Sequence, residues 1–218
     1  MASLRKSNQD NSASLWKPLY LFAAIITAIS SAFWGLEWFS AQGSSVSDSF
    51  SYLRLNITQG QVWRLLTGNL LHTNLWHLAM NLAGLWVILF LHEMHYRKQA
   101  LLIYLLFISL CLFEGLGLYF YYPALLSYVG LSGVLHGLFS FGAIMDITRG
   151  YRSGYLLLAG VLAKVCYEQT YGASDSVVEL IGARVATESH LVGVISGIIC
   201  AFIWLTYLYI QQMIKRKK

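Results

Sequence analysis

Apolar residues fall in six long runs along this chain, at 16–39, 76–94, 100–121, 132–146, 153–168 and 190–213, with polar segments between them. An α-helix needs about 20 such residues to cross a bilayer. The fourth run, of about fifteen, suits a membrane only if its outer end is buried in protein or faces a water-filled cavity. The strict alternation of a membrane β-barrel is absent, and only two prolines interrupt the chain. Continuous helices are therefore expected, giving an all-α membrane protein with six transmembrane helices. The first run is longer than the roughly 7–15 apolar residues of a signal peptide and no small-x-small cleavage site follows it, so it reads as a retained helix.

Composition agrees with this pattern. The chain is 57% hydrophobic and 11% charged, whereas a soluble domain carries roughly 25% charged residues. The net charge of +5 does not point to nucleic acid, because the basic residues cluster at the ends of the apolar runs. There they set orientation and meet anionic lipid headgroups. In a six-span arrangement Arg5, Lys6, Lys17, Arg97, Lys98, Arg149, Arg152 and Lys215 to Lys218 share one side, eleven of the fifteen Lys and Arg. Arg54, Arg64 and Arg184 lie opposite, and Lys164 lies within the fifth span. Both termini are thus expected in the cytoplasm. The organisation expected is a cytoplasmic segment at 1–15, a membrane domain at 16–214 and a basic tail at 215–218. Two outer loops follow, 40–75 and 169–189. Cys111, Cys166 and Cys200 sit inside apolar runs without metal-ligand spacing and read as small core residues.

Polar side chains inside apolar runs are costly, so their positions carry information. Alternating the six spans puts the starts of the second, fourth and sixth at one depth near the outer face. His77, Asn81, Ser132 and His190 then lie together. Ser132 stands in Gly130-Leu-Ser-Gly-Val-Leu-His-Gly137, at the first turn of a helix. Unpaired N–H groups and the helix dipole at such a turn favour a developing oxyanion. A serine hydroxyl also needs a base, and His190 is the candidate. Gly193 and Gly197 follow it at i+3 and i+7, while Gly133 and Gly137 follow Ser132. Small residues on facing helices permit close approach. The pair would work without an acidic third member. His77 and Asn81, at i and i+4, share a helix face and both can donate to an oxyanion.

These residues resemble the rhomboid family of intramembrane serine proteases over most of the chain. Trp63-Arg64 is similar to the family's first-loop Trp-Arg. His72, His77 and Asn81 match its second-helix pattern, Gly130-Leu-Ser132-Gly133 its GxSG, and His190 with Gly193 and Gly197 its base and glycine stripe. The resemblance implies a six-helix bundle with Ser132 as nucleophile and His190 as general base, then acid. It also implies His77, Asn81 and the Ser132 amide as the oxyanion site, with His72 structural. His136 replaces the tyrosine common in the family four residues after the serine, and Leu191-Val192 replaces a usually small pair. The length and the segment ending in His136-Gly137 resemble the rhombosortase branch. That branch implies membrane-anchored substrates with a C-terminal Gly-Gly motif, an apolar helix and a basic tail. It also implies residence in a bacterial inner membrane with the site facing the periplasm, and His136 helping to shape that site. No cofactor or metal is expected.

Two rival chemistries have sequence support. His92-Glu93-Met94-His95 is one residue short of HExxH, so its histidines stand at i and i+3, with no obvious third ligand. Glu114 and Lys164, ionisable residues within spans, would suit a binding or transport protein. Lys164 also raises a Ser–Lys dyad, although Glu168 at i+4 is its simplest partner. Glu114 is expected to be hydrogen-bonded inside the bundle.

Overall fold

The computed structural model describes residues 2–40, 45–96 and 99–217, with only the backbone described for residues 2–17 and 100. Arg97, Lys98 and Lys218, used in the orientation argument, lie outside the described residues, as do the side chains of Arg5, Lys6 and Lys17. Helices α1 (Ala2–Phe39), α2 (Val46–Phe50), α3 (Arg54–Thr58), α4 (Arg64–Thr67), α5 (Leu75–Leu91) and α6 (Glu93–Tyr96) form the first half. The second half holds α7 (Ala100–Tyr121), α8 (Ser132–Thr148), α9 (Ser153–Tyr171), α10 (Asp175–Ile181) and α11 (Thr187–Arg216). Two short strands, β1 (Tyr52–Leu53) and β2 (Ser127–Tyr128), pair antiparallel.

The six apolar runs correspond to α1, α5, α7, α8, α9 and α11. By length and composition, Pro18–Phe39, Leu101–Tyr121 and Thr187–Arg216 are able to cross a membrane. Arg64–Leu70 with Leu75–Leu91 makes a fourth if that pair, bent by 98°, counts as one span. The outer surface matches such a setting: Leu101 and Phe120 of α7, Leu156 of α9 and Phe202 of α11 are exposed large hydrophobics.

Boundaries shift where local chemistry extends or stops a helix. Helix α5 starts at Leu75 because the Asn74 side chain accepts the His77 N–H at 2.8 Å, an N-cap. It stops at His92, and Glu93–Tyr96 forms a separate turn. At the ends of the chain, α1 begins at Ala2 and α11 runs through Lys215 and Arg216, so the expected terminal segments continue helices.

Helix α8 is the central element. Its Val134, Leu138 and Phe141 are fully buried in a core shared with Leu85 of α5, Ile103 and Leu110 of α7 and Ala201 of α11. Being enclosed by protein, α8 does not depend on an apolar stripe of full bilayer length. It meets α11 with almost no side chain between. A Cβ added at Gly193 would land on the Gly133 carbonyl, and one at Gly197 on the Gly137 carbonyl and Ser140 Oγ. Backbone-to-backbone contact of this kind is available only to glycine.

The first outer loop, expected at 40–75, contains a folded unit. Arg64 is buried and donates to Asp48 O (2.6 Å), Ser51 O (2.8 Å) and Gln61 Oε1 (2.7 Å). One guanidinium thereby closes residues 48–64 into a compact cap. The cap reaches the segment before Ser132 through the β1–β2 pair, the Arg54 N–H to Leu126 O bond (2.9 Å) and the Gly130 N–H to Gly68 O bond (3.1 Å).

Candidate active site

Residues from α5, α8, α9 and α11 meet around the start of α8. Ser132 is its first residue, half-buried, and follows a turn that needs Gly130. Gly130 has φ +130°, and a Cβ there would also fall 2.8 Å from His77 Nε2. The Tyr128 hydroxyl donates to the Gly130 carbonyl, fixing the turn from the other side.

Ser132 Oγ lies 2.9 Å from His190 Nε2. That ring is buried and stacks on His136 with centroids 4.1 Å apart and planes at 20°. His136 donates from Nδ1 to the Ser132 carbonyl at 2.7 Å, locking the ring that supports His190. The third contact was not legible as such: Glu168 Oε2 is 2.8 Å from His190 Nδ1. Its Oε1 accepts from Lys164 Nζ at 2.7 Å. Lys164 thus pairs with Glu168 at i+4 as expected, but the carboxylate also reaches His190. The signal lay in the spacing of Val161, Val165 and Glu168 at i, i+4 and i+7. Val161 and Val165 pack on Val194 of α11, so Glu168 shares their buried face.

His77 and Asn81 both flank Gly130, on the same side of the turn. His77 Nδ1 lies 3.1 Å from Thr73 Oγ1 and 3.4 Å from the Thr73 N–H, so Nε2 is the ring nitrogen that faces Gly130. Asn81 Nδ2 is buried with no hydrogen-bond partner, so it is an available donor beside this turn. His72 packs edge-to-face on His77 at 5.0 Å, and both its ring nitrogens are buried without partners. Thr73 Oγ1 and Asn74 Nδ2 donate to Ile181 O and Leu180 O, so α10 closes over the start of α5.

Glu114 is fully buried on α7, and a Cβ on Gly133 would overlap its carboxyl group. Neither Glu114 oxygen has a hydrogen bond of good geometry, and the Tyr128 side chain is the polar group that interacts with its carboxyl, as expected for a residue held inside the bundle. Among the described residues, two groups have donor atoms close enough to hold a metal ion: His136, Glu168 and His190, and His92, His95 and Asp146. In the first, both His190 nitrogens are already engaged, one with Ser132 and one with Glu168. In the second, Asp146 of α8 supplies the third residue that the His-Glu-Met-His segment lacked. His95 Nε2 is 2.7 Å from Asp146 Oδ1, and His92 Nδ1 is 3.3 Å from Oδ2.

An apolar groove of about 430 Å³ approaches the site between α5 and α9, lined by Ile88, Leu135, His136, Phe139, Val161 and Lys164. It brings lipid-like surroundings to the back of the imidazole stack.

Compared with family descriptions, residues 59–207 match the Rhomboid domain. The chain belongs to the rhomboid family. None of the curated proteins compared matches it. Rhomboids are intramembrane serine proteases that act on membrane-anchored substrates within the bilayer. The matched residues hold the GxSG serine, the second-helix histidines and asparagine, and His190. This rhomboid is an all-α, multi-pass membrane protein.

Proposed function

We propose that this rhomboid is an active intramembrane serine endopeptidase in which Ser132 is the nucleophile and His190 the general base. The carrying observation is the 2.9 Å approach of Ser132 Oγ to His190 Nε2 from helices far apart in sequence. His190 Nε2 takes the serine proton as the Oγ–carbon bond forms, then gives it to the leaving amine as the peptide C–N bond breaks. Water, deprotonated by the same nitrogen, releases the acyl group. His77 Nε2, Asn81 Nδ2 and the Ser132 N–H hold the oxyanion. Those donors surround Gly130 and the first turn of α8, where N–H groups have no intrahelical partner.

The substrate is a single-span, membrane-anchored protein whose apolar anchor lies along the groove between α5 and α9. Six spans with both termini in the cytoplasm put the site at the outer face of a bacterial inner membrane, following the eleven basic residues on one side. The Gly130–Gly137 segment and the compact length favour rhombosortase-like substrates, cut near a C-terminal Gly-Gly, apolar helix and basic tail. Narrow glycines would let that strand reach a serine tucked between α8 and α11.

The test is cleavage of such a substrate in proteoliposomes by wild type, Ser132→Ala and His190→Ala. Both variants are expected to lose at least about 10³-fold in rate; full activity in either correctly folded variant rejects the assignment. Replacing the substrate's Gly-Gly with two leucines is expected to block cleavage. Unchanged cleavage would leave a rhomboid protease of broader single-span specificity.

A further inference from the structure

The geometry points to Glu168 as the positioning residue for His190, so that hydrolysis runs on a Ser132–His190–Glu168 triad rather than a dyad. This rests on the protease reading above. The three side chains form one hydrogen-bonded line: Ser132 Oγ to His190 Nε2 at 2.9 Å, and His190 Nδ1 to Glu168 Oε2 at 2.8 Å. The line extends to Lys164 Nζ, 2.7 Å from Glu168 Oε1.

The chemistry follows from what each atom can do. A carboxylate only accepts hydrogen bonds, so its partner Nδ1 must carry the ring proton. Nε2 then presents its lone pair to the serine hydroxyl, the tautomer that a base requires. When Nε2 takes the serine proton, the imidazolium lies beside a negative charge, and Glu168 stays ionised. Glu168 is 9% exposed, and a charge buried that deeply persists only when paired. Lys164, with half its side chain in solvent, answers the oxygen that His190 does not use.

The groups around His190 make this carboxylate distinctive. From α8 come Ser132 and His136, from α5 His77, and from α9 Glu168 with Lys164 behind it. Glu114 of α7 lies beneath Gly133. Among the described residues, Glu168 is the carboxylate in contact with the His190 ring.

Lys164 makes the proposal sharply testable. An ammonium group can only donate, so in Glu168→Gln it claims the amide oxygen and turns the NH₂ toward His190 Nδ1. That nitrogen must then accept, the proton moves to Nε2, and the ring cannot take the serine proton. The isosteric variant should therefore be worse than the truncated one.

The probe is a fluorophosphonate dye: the Ser132 Oγ–P bond forms, the P–F bond breaks, fluoride leaves and the serine proton passes to His190 Nε2. Labelling rates are measured on monodisperse protein in detergent. Glu168→Ala is expected to label about 10²-fold more slowly and Glu168→Gln about 10³–10⁴-fold more slowly. Lys164→Met/Glu168→Gln, in which the amide is free to turn, is expected to recover above Glu168→Gln. Wild-type rates in both single variants would overturn the proposal. So would equal losses in Glu168→Ala and Glu168→Gln with no recovery in the double variant, since that is a packing effect. Glu168→Gln keeps the size and shape of Glu168 and carries the comparison if Glu168→Ala does not fold. Labelling of Ser132→Ala would instead defeat the protease reading itself, a separate outcome.

Discussion

The two ends of α8 carry nearly the same chemistry and are built for different ends. At the start of α8, His136, His190 and Glu168 cluster; toward its end, His92, His95 and Asp146 do so. Each group has two imidazoles and one carboxylate. At the first, the carboxylate touches one ring, and that ring's other nitrogen meets a half-buried hydroxyl. At the second, the carboxylate sits between both rings, and His92 is fully buried against Phe139 and Gly142. Histidine and acid together give only a polar tie between helices. A hydroxyl aligned on the free ring nitrogen, with donors beside it, is what the proposed function reads as a reaction site.

Substitutions at the two ends should separate these roles. The largest effect is expected from Gly193→Val, whose side chain would fall on the Gly133 carbonyl and force α8 and α11 apart. Ser132 labelling should fall by about 10²-fold or more, because ångström displacements of reacting groups cost that much. Gly35→Val on α1, where a Cβ meets open space, should leave the rate unchanged. A smaller loss, about 10²-fold in substrate turnover, is expected from Asn81→Ala as one oxyanion donor is removed. Kinetics on a cleavable substrate would show it in kcat rather than KM. His136→Tyr keeps an aromatic ring against His190 but gives up the bond to the Ser132 carbonyl. Its labelling rate should stay within about tenfold of wild type, as expected for the loss of one hydrogen bond.

At the other end, Asp146→Asn should lower stability by about 1–3 kcal/mol, the cost of unpairing buried polar groups. A thermal melt in detergent reads this directly. The labelling rate per folded molecule should not change. A rate loss matching that of Asn81→Ala would mean that the two ends of α8 are coupled, and the contrast between them would fail.

What could be read from the sequence follows the same division. Gly133, Gly137, Gly193 and Gly197 announce a close helix pair because small residues have few other uses at that spacing. Ser132 and His190 follow from that pairing and from alternating spans, and the structure brings them together. Glu168 escaped because Lys164 at i−4 offered a sufficient local partner, although Val161 and Val165 mark its face as buried. Asp146 escaped because the His-Glu-Met-His segment invites comparison with a single-helix metal motif, whereas its partner comes from α8. The folded first loop was the least legible part. Two-residue strands have no periodicity, and the reach of Arg64 to three partners depends on loop geometry that no local pattern encodes.

The line from Ser132 through His190 to Glu168 also sets a timetable. Translation delivers the hydroxyl with α8, the carboxylate with α9 and the imidazole last, near the start of α11. Under the proposed assignment, a nascent chain that holds only its first five long helices carries the serine without the base that would deprotonate it. Competence would then come with the final helix, whose glycine stripe packs against α8. On that reading the unfinished molecule has no means of cutting the neighbours among which it is being made.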